Sequence, residues 1–319
     1  MQNFNTTDTP LVSFIITCKD LPSEQVAECV NSILQLSLRT DEREIILVDA
    51  ASGKCMLNEI SDISSHIIYI RLNSGSIENA RNAGLRFAQG RYIQFIDGED
   101  KLFTEAYEHC IDIARYNSPD IVIFNSDASE TGQNDYSGEK PTEGSEYMKH
   151  NNLTASPWGY IFAKRLLINL KFEIDTFDAD EEFTTLLFLR AEKIYSSSAV
   201  AYFDRNKKKE KVERSDKRCI IKRLDDAFAI ICRLQQLADT MPPTDKAALQ
   251  RRCAQLTMNY IINTIRWTRS AKQLSERIEK LKEAGLFPLP DRNYSKKYIL
   301  FNKLSRSSIM MKIICKMLG

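Results

Sequence analysis

The fold class this sequence predicts is α/β, a mostly parallel sheet flanked by helices, followed by a helical C-terminal appendage. Three observations carry it. Over the first 125 residues, short apolar runs alternate with stretches of helical spacing, as crossovers between parallel strands require. Each run ends in a polar, small or acidic loop, so those loops gather along one sheet edge, where open sheets bind ligands. After residue 205 the short runs give way to long helical patterns.

Leu11 to Thr17 is an apolar run suited to a buried strand. Val26 to Leu36 sets Val26, Cys29, Val30, Ile33, Leu34 and Leu36 at helical spacing. Glu44 to Val48 reads as a second buried strand, ending at Asp49 and the loop Ala50-Ala51-Ser52-Gly53. Ile67 to Leu72 is a third, ending at Asn73-Ser74-Gly75. Asn79 to Ala88 reads as a helix with Gly90 as its C-terminal glycine. Tyr92 to Ile96 is the fourth strand, Leu102 to Tyr116 a helix, and Ile121 to Phe124 a further strand. Ser126 to Asn152, rich in Ser, Gly, Asn and acids, reads as a lid over the site or as plain linker.

Beyond Arg205 come helices over Ile220–Ala238, Lys246–Thr268 and Ala271–Ala284. Pro242-Pro243 separates the first two, Ser270 caps the last, and Gly285 closes it. The chain therefore divides into a domain over 1–206, with a nucleotide-binding half at 10–125 and an acceptor half at 150–206, and a helical region over 207–319. From Arg292 to Gly319 the tail carries seven Lys or Arg and no acid, interleaved with apolar residues. Such a segment suits an anionic membrane surface, and equally a last helix docked on the body or a dimer contact.

Composition bounds the chemistry. A chain of 319 residues is long enough for one large domain and an appendage. A net charge of +1 argues against a wholly basic nucleic-acid binder, and the basic stretch at 205–223 lacks aromatic interleaving. Eight cysteines without a CxxC pair predict reduced thiols in a cytosolic protein rather than a disulfide frame or zinc site. The three histidines have no ligand-like spacing, no signal peptide is evident, and no window is apolar enough to cross a membrane. A cytoplasmic protein, peripheral on the membrane if the tail binds it, is the expectation.

The stretch Tyr92-Ile93-Gln94-Phe95-Ile96-Asp97-Gly98-Glu99-Asp100 is the most informative. Three carboxylates at a strand's end repel one another, and a divalent cation reverses that balance because hard cations take oxygen ligands. Gly98 permits a sharp turn and close approach of a ligand. The loop after the first strand, Thr17-Cys18-Lys19-Asp20-Leu21-Pro22, holds no glycine, and no P-loop motif occurs, which argues against dinucleotide and Walker-type phosphate binding.

The order of these features resembles the family 2 glycosyltransferases of the GT-A fold (a Rossmann-like sheet), which move a sugar from a nucleotide diphosphate to an acceptor hydroxyl. The matching pieces are Val12-Ser13-Phe14-Ile15-Ile16, Glu44 to Asp49, Asn73 with Gly75, Ala80-Arg81-Asn82-Ala83-Gly84, and Gly90 to Asp100. Pro157-Trp158-Gly159 is similar to the acceptor-side tryptophan segment, and Asp178 to Phe183 with Ala191 to Ile194 to the catalytic helix. The resemblance implies that Thr17, Asp20, Asn73 and Gly98 line the nucleotide site. It also implies that Asp49 meets the base, that Arg81 and Asn82 line the pocket, and that Asp97 and Glu99 hold Mn²⁺ or Mg²⁺. Trp158 falls on the acceptor side. Asp180 aligns best with the general base, with Glu181 and Glu182 as rivals.

The implied reaction is a metal-assisted single displacement that inverts the anomeric carbon, with a UDP-sugar as the default donor. A glycan or lipid-linked acceptor in surface-polysaccharide assembly is the implied setting. Ala50, Glu99 and Ala179 each stand where the family commonly has an aspartate or other acid, so a degenerate sugar-nucleotide binder or scaffold is the alternative. The residues also have plainer readings. Asp49 suits a turn, Arg81 an exposed helix face, Asp180 an acidic first helical turn, and Trp158 core packing.

Overall fold

The computed structural model describes residues 9–73, 75–129, 140–206 and 216–306. In chain order the strands are β1 (Val12–Cys18), β2 (Arg43–Asp49), β3 (Ile68–Arg71), β4 (Tyr92–Asp97), β5 (Lys101–Leu102), β6 (Ile121–Asp127), β7 (Tyr160–Ala163) and β8 (Ile194–Phe203). The helices are α1 (Ser23–Leu34), α2 (Met56–Glu59), α3 (Ile77–Phe87), α4 (Thr104–Asn117), α5 (Gly144–His150), α6 (Ala179–Leu189), α7 (Lys217–Thr240), α8 (Pro243–Thr268), α9 (Ala271–Glu283) and α10 (Lys296–Ser305). The chain divides into two compact units.

The first unit spans 1–144, 155–175 and 190–211 and contains every strand found among the described residues. Its eight-stranded sheet runs β3-β2-β1-β4-β7-β6-β8-β5. The β3-β2-β1-β4 half is parallel, as the alternation predicts, because each crossover is helical. The other half is mixed. β7 runs antiparallel to both β4 and β6, while β6 and β8 are parallel. Every residue of β1 is buried, which explains why it reads as a continuous apolar run rather than an alternating one. Packed side chains from β1, α1 and α4, including Phe14, Val30 and Tyr107, form the core on one face.

Two glycines depart from their sequence reading or sharpen it. Gly90 is not the left-handed cap of α3, whose C-cap is Ala88. A Cβ there would lie 2.5 Å from the Ser13 backbone nitrogen, so Gly90 is needed for the close approach of the α3–β4 turn to β1. Gly285 does adopt a left-handed φ of 70°, as a helix-closing glycine should.

The second unit spans 145–154, 176–189 and 212–319 and, among the described residues, holds helices and their connecting loops but no strand. Its core gathers Leu224, Ile231 and Leu234 of α7 with Leu249, Ile261 and Ile265 of α8. The Ser270 side chain caps α9 by accepting from the Gln273 backbone. Residues 145–154 and 176–189 thus group with the C-terminal helices, whereas the sequence division placed them within 1–206. The segment read as a lid or linker carries strand β6 to Asp127 and helix α5, and its residues 130–139 lie outside the described residues. In the basic tail, α10 turns Tyr298 and Phe301 inward, and the Tyr298 hydroxyl donates to Pro290 O at 2.8 Å. The rest of the tail, 307–319, lies outside the described residues.

Candidate active site

Strand register brings the first predicted residues together. Thr17 of β1 lies opposite Val48 on one side and Asp97 on the other, and Cys18 lies opposite Asp49. Thr17, Asp49 and Asp97 therefore share one sheet edge. The Gly98 N–H donates to Thr17 O at 2.9 Å, and a Cβ on Gly98 would come within 3.0 Å of that oxygen. Only glycine fits this crossing comfortably. Asp20 takes a left-handed φ of 51°; its N–H donates to Ser52 Oγ and its Oδ1 accepts from Gly53 N–H, both at 2.9 Å. These bonds knit the loops after β1 and β2 into the wall of a cleft of about 410 Å³, lined also by Ser23, Lys54 and Glu59.

Asp49 is fully buried. Its Oδ1 accepts from Ser52 N–H at 2.8 Å, its Oδ2 from the Tyr69 hydroxyl at 2.7 Å, and Arg71 stands 3.7 Å away. Burial alone would raise its pKa, but hydrogen bonding from Ser52 and Tyr69 and the Arg71 charge outweigh that and hold it below the ordinary carboxylate value. Both oxygens thus anchor the β2 loop. Arg71 is partly exposed beside it and also donates to Ser52 O at 2.7 Å. Asn73 lies exposed in the bend after β3.

The acidic turn follows β4. Asp97 is partly exposed and accepts from Arg81 Nη2 at 3.2 Å. Glu99 Oε1 accepts from Asn206 Nδ2 at 3.0 Å, and Glu99 O from Arg205 Nε at 2.7 Å. Asp100 is buried, taking the Tyr202 hydroxyl and the Arg205 N–H, both at 2.9 Å. Burial, then the charge of Asp97, pushes the Glu99 carboxyl up. Asp100 rises to about 7, mainly through burial, with the charges of Asp97 and Glu99 adding to it. This local excess of negative charge is what a cation would relieve.

Among the described residues, no three His, Cys, Asp or Glu side chains are grouped to hold a metal by themselves. The hard oxygen donors of Asp97 and Glu99 fit the other common arrangement, in which one or two carboxylates share the ion with waters and substrate phosphates.

Arg81 and Asn82 serve different ends. Arg81 is buried, its guanidinium lying 5.5 Å from the Phe172 ring centre and 6.0 Å from that of Phe95, so it is not the exposed cation of the plainer reading. Asn82 exchanges two hydrogen bonds with the Phe172 backbone, at 2.8 and 2.9 Å, which employs both ends of its amide. Trp158 stacks on Tyr202 with centroids 4.6 Å apart, and its carbonyl accepts from Gln94 Nε2 at 2.9 Å.

The remaining predicted residues sit in the second unit, on the first turn of α6 with Asp180 half-buried. Glu181 is ion-paired with the buried Arg252, which also donates to Thr185 Oγ1 at 3.1 Å and Leu153 O at 2.6 Å. Burial raises the Glu181 carboxyl, partly opposed by Arg252. Glu182 is paired with Arg233, whose Nε donates at 2.8 Å. Asp178 takes both a 2.9 Å and a 2.6 Å bond from Arg223. Asp178, Glu182 and Glu181 are thus each engaged by a guanidinium group.

Sequence reasoning missed the braces. Tyr202, Arg205 and Asn206 hold the acidic turn, yet the run Tyr202-Phe203-Asp204-Arg205-Asn206 repeats the strand-then-polar signature that identified the other loops. Tyr69, Ser52 and Phe172 gave no comparable local signal.

Comparison with known proteins agrees with this architecture. The chain is 28% identical over 204 residues to the Bacillus subtilis "Uncharacterized glycosyltransferase EpsJ", covering 58% of each. It is 29% identical over 105 residues to the B. subtilis "Minor teichoic acid biosynthesis protein GgaB", covering 31% of this chain and 12% of that one. The alignments thus span little more than half of the former relative and far less of the latter. Among solved structures, S. aureus TarS 1-349 in complex with UDP-GlcNAc superposes with a TM-score of 0.66 at 17% identity, over 91% of this chain and 88% of that one. The mannosyltransferase PcManGT from Pyrobaculum calidifontis, in complex with GDP-Man and Mn²⁺, gives 0.53 at 13% identity, over 95% and 86%. These likenesses show a shared GT-A fold. The sequence model described as "Glycosyl transferase family 2" matches residues 13–185, more than half of the 319, and the chain belongs to that family.

Proposed function

We propose that this chain transfers a glycosyl group from a nucleotide-diphosphate sugar, by default a UDP-sugar, to an acceptor hydroxyl of a glycan or lipid-linked glycan. The observation that carries this reading is the parallel register that sets Thr17, Asp49 and Asp97 on one sheet edge, with Gly98 allowing the acidic turn to close against β1. The nucleotide-sugars in the TarS and PcManGT complexes and the teichoic acid relative support donor class and setting.

Asp97 and Glu99 are the residues we assign to a Mn²⁺ or Mg²⁺ ion. When bound, such an ion stabilises the charge that develops on the departing diphosphate. Arg81 orients Asp97 through their ion pair. In the reaction the acceptor oxygen forms a bond to the anomeric carbon while the bond from that carbon to the diphosphate oxygen breaks. The acceptor proton passes to a carboxylate. We assign that carboxylate to Asp180, in keeping with the family resemblance, with Glu181 as the rival. One base and one departure give inversion.

The test is turnover of a UDP-sugar panel with Mn²⁺ or Mg²⁺, followed by release of UDP in the presence of lipid-linked and glycan acceptors. Asp180→Asn should reduce turnover by about 10²-fold or more while nucleotide binding persists. Equal loss in Glu181→Gln, with Asp180→Asn active, would transfer the role to Glu181. Nucleotide binding with no turnover on any sugar would favour the non-catalytic reading.

A further inference from the structure

A second cleft lies in the first unit, away from the acidic turn in sequence and built by α3 and the segment 164–174. Its volume is about 430 Å³, and its lining includes Arg86, Lys164, Arg165 and Lys171 with Ile168 and Ile174 but no acid. Two of these cations are already engaged. Lys164 Nζ donates to Ala88 O at 2.6 Å, and Arg165 pairs with Asp120 at 2.8 Å. Arg86 and Lys171 are exposed and make no hydrogen bond or ion pair among the described residues.

The apolar side chains here are held out in water by a fixed backbone. Ile168 is 74% exposed and Ile174 45%. Arg190 donates to Leu166 O at 2.8 Å and to Ile168 O at 2.7 Å, and Leu170 N–H donates to Leu167 O at 2.8 Å. Leu166, Leu170 and Phe172 are buried on either side of Ile168 and anchor the segment. Ile168 and Ile174 together give this cleft an exposed apolar rim beside Arg86 and Lys171. Ile168 beside Arg86 and Lys171 matches a surface that offers hydrocarbon below a layer of phosphates, while Ile174 is flanked by the exposed Glu173 and Asp175. In the described part of the tail, α10 buries Tyr298 and Phe301 but leaves Leu300 61% exposed, so the vesicle test must separate the two surfaces.

We propose that this cleft seats on an anionic membrane surface, with Ile168 entering the acyl boundary and Arg86 and Lys171 meeting lipid phosphates. The full chain is floated with vesicles of phosphatidylglycerol and phosphatidylcholine, against phosphatidylcholine alone, at low and high salt. The wild type should float with the anionic vesicles only, and less as salt rises. Arg86→Glu combined with Lys171→Glu should lower partitioning by about tenfold or more. Both sites are exposed, and unchanged circular dichroism would show an intact fold.

An Ile168→Trp variant supplies an independent reading. Its emission, less that of the wild type, should shift to the blue on anionic vesicles and be quenched by brominated acyl chains. Each variant keeps the basic tail, so a partition unaltered by charge reversal would overturn the proposal. So would an Ile168→Trp emission indifferent to vesicles, equal binding to phosphatidylcholine alone, or self-association through this face without vesicle binding.

Discussion

At the scale of residues, the site separates carboxylates that bear on structure from those open to chemistry. Asp49 belongs to the first kind, since both its oxygens accept hydrogen bonds within the protein. Its folded pKa lies below the ordinary value, so its contribution to stability is present above about pH 4 and is lost as pH falls through the folded pKa. Asp49→Asn should therefore lower stability by about 1.5–3 kcal/mol at pH 7, with the gap to wild type narrowing below about pH 4 in urea titrations. Asn82 is similar in kind. Asn82→Ala should lower the melting temperature by several degrees through the lost Phe172 bonds, while leaving the Kd for nucleotide within about threefold. The turn at the end of β4 was legible because strand, glycine and acids are contiguous. The employment of Asn82 was not, because its partner lies 90 residues away and no local pattern reports it.

At the scale of elements, β8 is the support for the acidic turn. The Tyr202 hydroxyl accepts from Asp97 N–H at 3.1 Å and donates to Asp100, and the Trp158 ring covers it. Tyr202→Phe should lower stability by about 1–2 kcal/mol and weaken Mn²⁺-dependent nucleotide binding by about tenfold, since outer partners of a metal site set the orientation of its ligands. Equal affinity in the variant and wild type, measured by calorimetry, would remove β8 from the account. The parallel strands were legible from their apolar runs. β7 was not, because four residues buried throughout carry no periodicity. In β8 the run Ser196-Ser197-Ser198 interrupts the apolar pattern, and its parallel pairing with β6 is irregular near Asn125.

At the scale of the whole molecule, the charge of +1 conceals a local arrangement in which acids crowd the β4 turn and cations crowd the cleft beside α3. The fold class followed from the alternation in the first 125 residues. The division into units did not, because 145–154 and 176–189 leave the sheet to join helices that begin at Lys217, a non-local preference that composition does not carry. The central claim is that the β1–β2–β4 edge binds a nucleotide diphosphate through a metal held by Asp97 and Glu99. Calorimetric titration of UDP, GDP and several UDP-sugars, with and without Mn²⁺, into wild type and Glu99→Ala tests it most directly. The account predicts metal-dependent binding of one nucleotide that weakens by about tenfold or more in Glu99→Ala. Absence of binding to every nucleotide with and without metal, or binding indifferent to both Mn²⁺ and Glu99→Ala, would contradict it.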